Sequence, residues 1–286
     1  MLPKRLSEWA PPLYSHFFFP DKPGTYPFFF FIPGLYGDIP AYAYSNLLES
    51  FAKKGFVVGV AGHIPDARIK QDYDLWMETF DWFLSEGNKI FKQKGYDIQI
   101  DFEKIVMGSH SSACELHKYL SNEVVPQNII KGHWYLDPVF EMKSDYVKNE
   151  ILMKNVETTA HVKIQESELC EICCLGHKST NPLWEVHPFS DIKFFQRTLH
   201  CGHCSPLNHD MAMGCTMMCN VDHHYNTASY LEKIRNCEVG HMTAFFTDAL
   251  YGDEGMRKYY MNVMDYCGLD EFIEDGSQMC EGKYCL

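Results

Sequence analysis

The run Val106-Met107-Gly108-Ser109-His110-Ser111-Ser112-Ala113 constrains the fold more than any other part of the chain. It reads as the end of a strand, a tight turn and the start of a helix. Ser111 has small residues, Ser109 and Ala113, two places to either side. A sharp strand-to-helix turn demands that spacing, because larger side chains would clash around a residue held in a strained backbone conformation. A serine held there stands clear of the sheet and is placed to attack a carbonyl. Ser109 and Ser112 fit the role less well. Ser109 has Met107 two places before it, and Ser112 is flanked by His110 and Cys114.

The surrounding sequence alternates strand-like and helix-like stretches. Tyr26-Pro27-Phe28-Phe29-Phe30-Phe31-Ile32-Pro33-Gly34-Leu35 holds an apolar run too short to span a membrane. It reads as a parallel strand buried on both faces, followed by a Pro-Gly loop. A helix is expected near residues 44–54, a strand over 55–61, and a long amphipathic helix over 73–94. The last carries Trp76, Phe80, Phe83 and Ile90 near one face. Strand 105–108 leads into the turn and a helix over 112–120. Strand 129–136 then ends in Asp137-Pro138. This alternation predicts an α/β fold, a mostly parallel central sheet flanked by helices.

Open sheets of this kind place their sites at the carboxyl ends of strands. Asp137 is therefore the leading acid, with Glu166 and Glu168, after a strand over 161–165, as the alternatives. A serine–histidine pair needs such a carboxylate to fix the histidine tautomer and stabilise its charged form. Among fourteen histidines, the base should come last in chain order. His241 is the expected base, preceded by Gly240 and by a strand expected over 230–235. His209 is the runner-up, and His223 and His224 follow. The backbone amides of Leu35 and Ser112 are the expected oxyanion donors.

With these residues in place, the chain resembles the chlorophyllase-like branch of the α/β-hydrolase family. That branch is related to platelet-activating-factor acetylhydrolases and cutinase-like polyester hydrolases. The resemblance rests on residues 26–35, 55–61 and 109–113, on Leu136-Asp137-Pro138-Val139, and on Gly240-His241. Cys204-Ser205-Pro206-Leu207-Asn208-His209-Asp210 is similar to a stretch in chlorophyllases. Departures are Pro-Gly-Leu in the first loop, the missing glycines of the turn, and Phe140-Glu141 after Asp137-Pro138-Val139. The resemblance implies an α/β-hydrolase fold and a serine esterase with Ser111, Asp137 and His241 as the triad. It implies a small-molecule substrate, a bulky hydrophobic ester, and chemistry that needs no cofactor or metal. A lipid or short-chain phospholipid esterase is the neighbouring reading. A hydrolase fold retired from catalysis and kept for binding is the reading from a different class.

Composition agrees with one domain over residues 1–286, with a Cys-rich tail at 268–286. A net charge of −13 disfavours nucleic acid and anionic membrane surfaces as partners. No stretch has the apolar length of a membrane span. The N-terminus lacks the apolar core of a signal peptide. A cytoplasmic location is expected on that ground, or a secreted one if a signal was removed. The oligomeric state is left open. Eleven of the twelve cysteines fall between Cys170 and Cys285. Cys170, Cys173 and Cys174 form one group. Cys201, Cys204, Cys215 and Cys219 form another, interleaved with His200, His203, His209, His223 and His224. Disulfides, a structural zinc and free thiols all remain open for them. This Cys/His-rich segment precedes the expected base and is placed to overlie the mouth of the site.

Overall fold

The structure is a computed structural model. It describes residues 4–8, 13–62, 73–123, 129–139, 155–156, 158–168, 183–198, 201–213, 227–261 and 279–281. Cys170, Cys173, Cys174, Cys215, Cys219, His200, His223 and His224 lie outside the described residues, as does most of the Cys-rich tail.

The described strands join in one nine-stranded sheet. They are β1 (Lys4–Glu8), β2 (Tyr14–Phe19), β3 (Gly24–Ile32), β4 (Val57–Gly62), β5 (Ile98–His110), β6 (Ile130–Leu136), β7 (His161–Ser167), β8 (Ile192–Thr198) and β9 (Met279–Glu281). The spatial order is β1-β2-β4-β3-β5-β6-β7-β8-β9. From β4 to β8 all neighbours pair parallel, while β1, β2 and β9 are antiparallel additions at the edges. The expected α/β architecture with a mostly parallel sheet is present.

Five helices are used below: α1 (Ser45–Lys53), α2 (Tyr73–Gln93), α3 (Ala113–Glu123), α4 (Ala228–Tyr251) and α5 (Glu254–Met261). The apolar run on β3 explains why helices cover both faces of the sheet. Successive strand residues point to opposite sides. Phe29 and Phe31 join a core with Leu47, Phe51, Phe245 and Phe246, under α1 and α4. Phe28, Phe30 and Ile32 join the other core with Phe80, Phe83, Phe91 and Leu116, under α2 and α3. All five residues from Phe28 to Ile32 are fully buried. Each such side chain contributes about 1.5–3 kcal/mol through its removal from water. Gly108 on β5 permits the close packing: a Cβ there would lie 2.8 Å from the Phe29 ring.

Residues 230–235 are not the strand expected from sequence. They form the first turns of α4. Thr227 caps that helix by accepting from the Tyr230 amide, and Gly252, at φ 64°, ends it. Its buried residues Leu231, Ile234, Glu238, Met242 and Phe245 recur at helical spacing. No helix among the described residues is long and apolar enough to cross a membrane.

Candidate active site

Ser111 occupies the turn between β5 and α3 with φ at 60°. Non-glycine residues rarely adopt this left-handed conformation, and strain of this kind clusters at functional positions. The turn is held by neighbours. The Ser111 amide donates to the Leu136 carbonyl at 3.0 Å, and its own carbonyl accepts from Cys114 and Val139.

The histidine that meets Ser111 is His203. Its Nε2 lies 2.8 Å from Ser111 Oγ, and its Nδ1 lies 3.9 Å from Asp137 Oδ2. Asp137 sits just past the end of β6, fully buried and with φ at 45°. Its amide donates to the Gln165 carbonyl at 2.7 Å. Its carboxylate accepts from both the backbone amide and the hydroxyl of Ser167 on β7. Burial pushes the Asp137 pKa up to about 6, opposed by His203 and by the two Ser167 hydrogen bonds. Strand alternation puts Glu166 on the opposite face of β7 from the Ser167 side chain that grips Asp137. The carboxylate found behind His203 is therefore that of Asp137.

His241 is a correction. It lies mid-helix on the buried side of α4, not on a loop. Its Nε2 meets the Tyr260 carbonyl at 2.9 Å, and its Nδ1 meets Lys163 Nζ. Both ring nitrogens are therefore committed to the core. Burial and the neighbouring lysine hold its pKa well below the usual value. His209 also misses the site, pairing with Asp210 at 3.5 Å.

His203 comes from the loop after β8, within a tight turn over residues 202–205. The Gly202 amide donates to Ser205 Oγ, and the Ser205 amide donates back to the Gly202 carbonyl. Arg235 on α4 reaches this loop at the Leu207 carbonyl, 2.9 Å away. Cys204, next in sequence to His203, is disulfide-bonded, as is Cys237, whereas Cys114 and Cys201 are buried free thiols. That bond takes up the Cys204 sulfur that a Cys201–Cys204 zinc pair would need. Among the described residues, one group of metal-ligating side chains comes together: His110, Asp137 and His203, with ligand atoms within 4.8 Å of one another. These atoms are already engaged by Ser111, Ser167, Tyr44 and the His203 carbonyl.

Leu35 and Tyr36 follow Pro33-Gly34 with φ at 53° and 56°. Tyr36 donates to Glu115 on α3 at 3.3 Å, which ties this loop to the helix that starts at the turn. Neither the Leu35 nor the Ser112 amide is engaged by another described residue. The loop bearing Leu35 is thus tied to the helix that begins just after Ser111, and Ser112 follows Ser111 directly in the turn.

No protein-family model matches the chain, and no curated protein matches it.

Proposed function

We propose that the chain is a serine hydrolase of the α/β-hydrolase fold that cleaves carboxylic esters through an acyl-enzyme. The observation that carries this reading is the 2.8 Å contact from His203 Nε2 to Ser111 Oγ on a positive-φ turn, with Asp137 behind the histidine. Ser111, Asp137 and His203 also follow one another in the chain order of that fold.

In the proposed reaction Ser111 gives its proton to His203 as its oxygen attacks the ester carbonyl. Asp137 holds the histidine in the tautomer that accepts at Nε2 and stabilises it once charged. The Leu35 and Ser112 amides donate to the oxyanion. His203 then protonates the departing alcohol. Water, deprotonated by the same histidine, releases the acid. The 3.9 Å spacing from His203 to Asp137 is long for a hydrogen bond, and such contacts tighten when substrate closes the site.

The sequence resemblance adds a substrate class, a bulky hydrophobic ester such as an isoprenoid or lipid ester. Exposed apolar side chains on the two loops support it. Leu35 belongs to the oxyanion loop, Tyr42 to the segment after it, and Met211 and Met213 to the segment after the base. The test is hydrolysis of p-nitrophenyl esters of graded chain length by wild type and Ser111→Ala. Turnover that rises with acyl length and vanishes in the variant supports the proposal. Equal turnover by both proteins refutes it.

A further inference from the structure

We infer that Tyr44 and His110 are positioning residues that couple the loop bearing the base to the loop bearing the oxyanion donor. This rests on the hydrolase reading above. The Gly34 amide, one residue before Leu35, donates to the Tyr44 hydroxyl at 3.0 Å. That hydroxyl lies 2.7 Å from His110 Nδ1. The other ring nitrogen, Nε2, lies 2.8 Å from the backbone carbonyl of His203. Only one neutral tautomer satisfies both contacts: Nε2 carries the proton and donates to the carbonyl, while Nδ1 accepts from the tyrosine. The three hydrogen bonds then run in one direction, from the oxyanion loop to the backbone of the base.

The relay has no slack. Tyr44 and His110 are buried, and the Tyr44 ring packs on Phe31 with centroids 5.2 Å apart. Burial, with His203 beside it, holds the His110 pKa well below the ordinary value, and burial raises that of Tyr44. Both therefore stay neutral, as the hydrogen-bond directions require. Gly34 keeps this seat tight: a Cβ there would lie 3.0 Å from His110 Nδ1 and 3.1 Å from the Tyr44 oxygen, so those groups would have to shift to admit one.

A second tie joins the same two segments. Asn208, five residues after His203, donates from its backbone to Ala43 at 2.6 Å. Its side-chain amide donates to the Tyr42 carbonyl at 2.6 Å and to Ser45 Oγ at 2.9 Å, and its Oδ1 accepts from the Asn46 amide at 3.1 Å. Tyr44 therefore sits in a segment clamped to the base loop on both sides. A shift of either loop is transmitted to the other, so the base and the oxyanion donor keep one mutual geometry.

The test uses the whole protein and a fluorophosphonate probe. Its end point counts competent sites, its rate reads the machinery, and a p-nitrophenyl ester gives kcat and KM per labelled site. Tyr44→Phe, which keeps the ring and loses the hydroxyl, is expected to lower kcat about 10- to 100-fold with little change in KM, the cost of a small misplacement. His110→Leu should lose as much, and His110→Gln, which keeps a donor for the His203 carbonyl, should recover part of it. A purely structural role would lower stability and leave kcat per labelled site untouched, and that result overturns the inference. Should the core variants fail to fold, Asn208→Ala decides: reduced kcat at constant KM supports the coupling, and unchanged kcat overturns it. A wild type that takes no label on Ser111 overturns the hydrolase reading and this inference together. Normal wild-type labelling with unaltered variants overturns the inference alone.

Discussion

Ser167 holds Asp137 twice, with its backbone amide on one carboxylate oxygen and its hydroxyl on the other. That grip aims the carboxylate at His203 from the end of the neighbouring strand. It also opposes the rise in pKa that burial imposes, leaving Asp137 at about 6. The proposed reaction needs the ionised carboxylate, so kcat/KM should fall as pH drops through about 6. Removing a hydrogen bond that favours the charged form raises the pKa. Ser167→Ala should therefore move the acidic limb to higher pH. The pH profile of kcat/KM checks this, and a limb that stays in place contradicts it.

The two histidines His203 and His241 should separate cleanly in mutants. His203→Ala removes the proton acceptor and should cost on the order of 10³-fold or more in kcat. His241→Gln disturbs a buried packing position. It should cost about 1–3 kcal/mol of stability while keeping kcat per folded molecule near wild type. Denaturant melts and kinetics on the two variants make the comparison.

The fold was largely legible in the sequence because its central strand and its turn are extreme. A run of four phenylalanines ending in Ile32 has to be buried on both faces, and small residues around Ser111 permit one kind of turn. Asp137 was legible as the end of a strand ahead of proline. The base was not. Residues 230–235 resembled a short strand, but their apolar positions continue at helical spacing as far as Phe245. The true last parallel strand, β8, alternates strictly between buried Ile192, Phe194, Gln196 and Thr198 and half-buried residues between them. That period-two signal, followed by Gly202-His203, marks the base loop. Its polar content leaves no apolar run to mark it in the sequence.

Acid should destabilise the fold through a buried histidine ladder behind the turn. Ser109 Oγ meets His117 Nδ1 at 2.8 Å, and His117 Nε2 meets His133 Nδ1 at 3.0 Å. His187 meets the Tyr135 hydroxyl at 2.9 Å. Burial pushes His133 down to about 3 and holds His117 and His187 well below their usual value. Below pH 6.5 the unfolded chain binds protons that the folded chain refuses. Each histidine therefore removes up to about 1.4 kcal/mol per pH unit as pH falls toward its folded pKa. Urea midpoints between pH 7 and 4 measure this slope, and His133→Gln should flatten it.

Reduction should weaken the site from the side of its base. Cys204 is disulfide-bonded one residue from His203. A native disulfide contributes about 2–4 kcal/mol, and here it restrains the loop that sets the base. Dithiothreitol is expected to lower both Tm and kcat, with recovery on reoxidation. Unchanged kcat under full reduction would show that the hydrogen bonds from His110, Arg235 and Asn208 suffice to hold the loop.

Gly108→Ala tests the packing beneath the turn. The added methyl would lie 2.8 Å and 2.9 Å from two ring atoms of Phe29 and 3.2 Å from Trp134. Overpacking of this size costs about 1–3 kcal/mol. A urea midpoint equal to wild type would contradict the tight seat assigned to Phe29.

The central claim is that His203 activates Ser111. Intact mass after fluorophosphonate treatment tests it most directly, on wild type, Ser111→Ala, His203→Ala and His241→Gln in parallel. One adduct is expected on wild type and on His241→Gln, none on Ser111→Ala, and only slow labelling of His203→Ala. An unlabelled wild type, or labelling that survives in His203→Ala and is lost in His241→Gln, would contradict it.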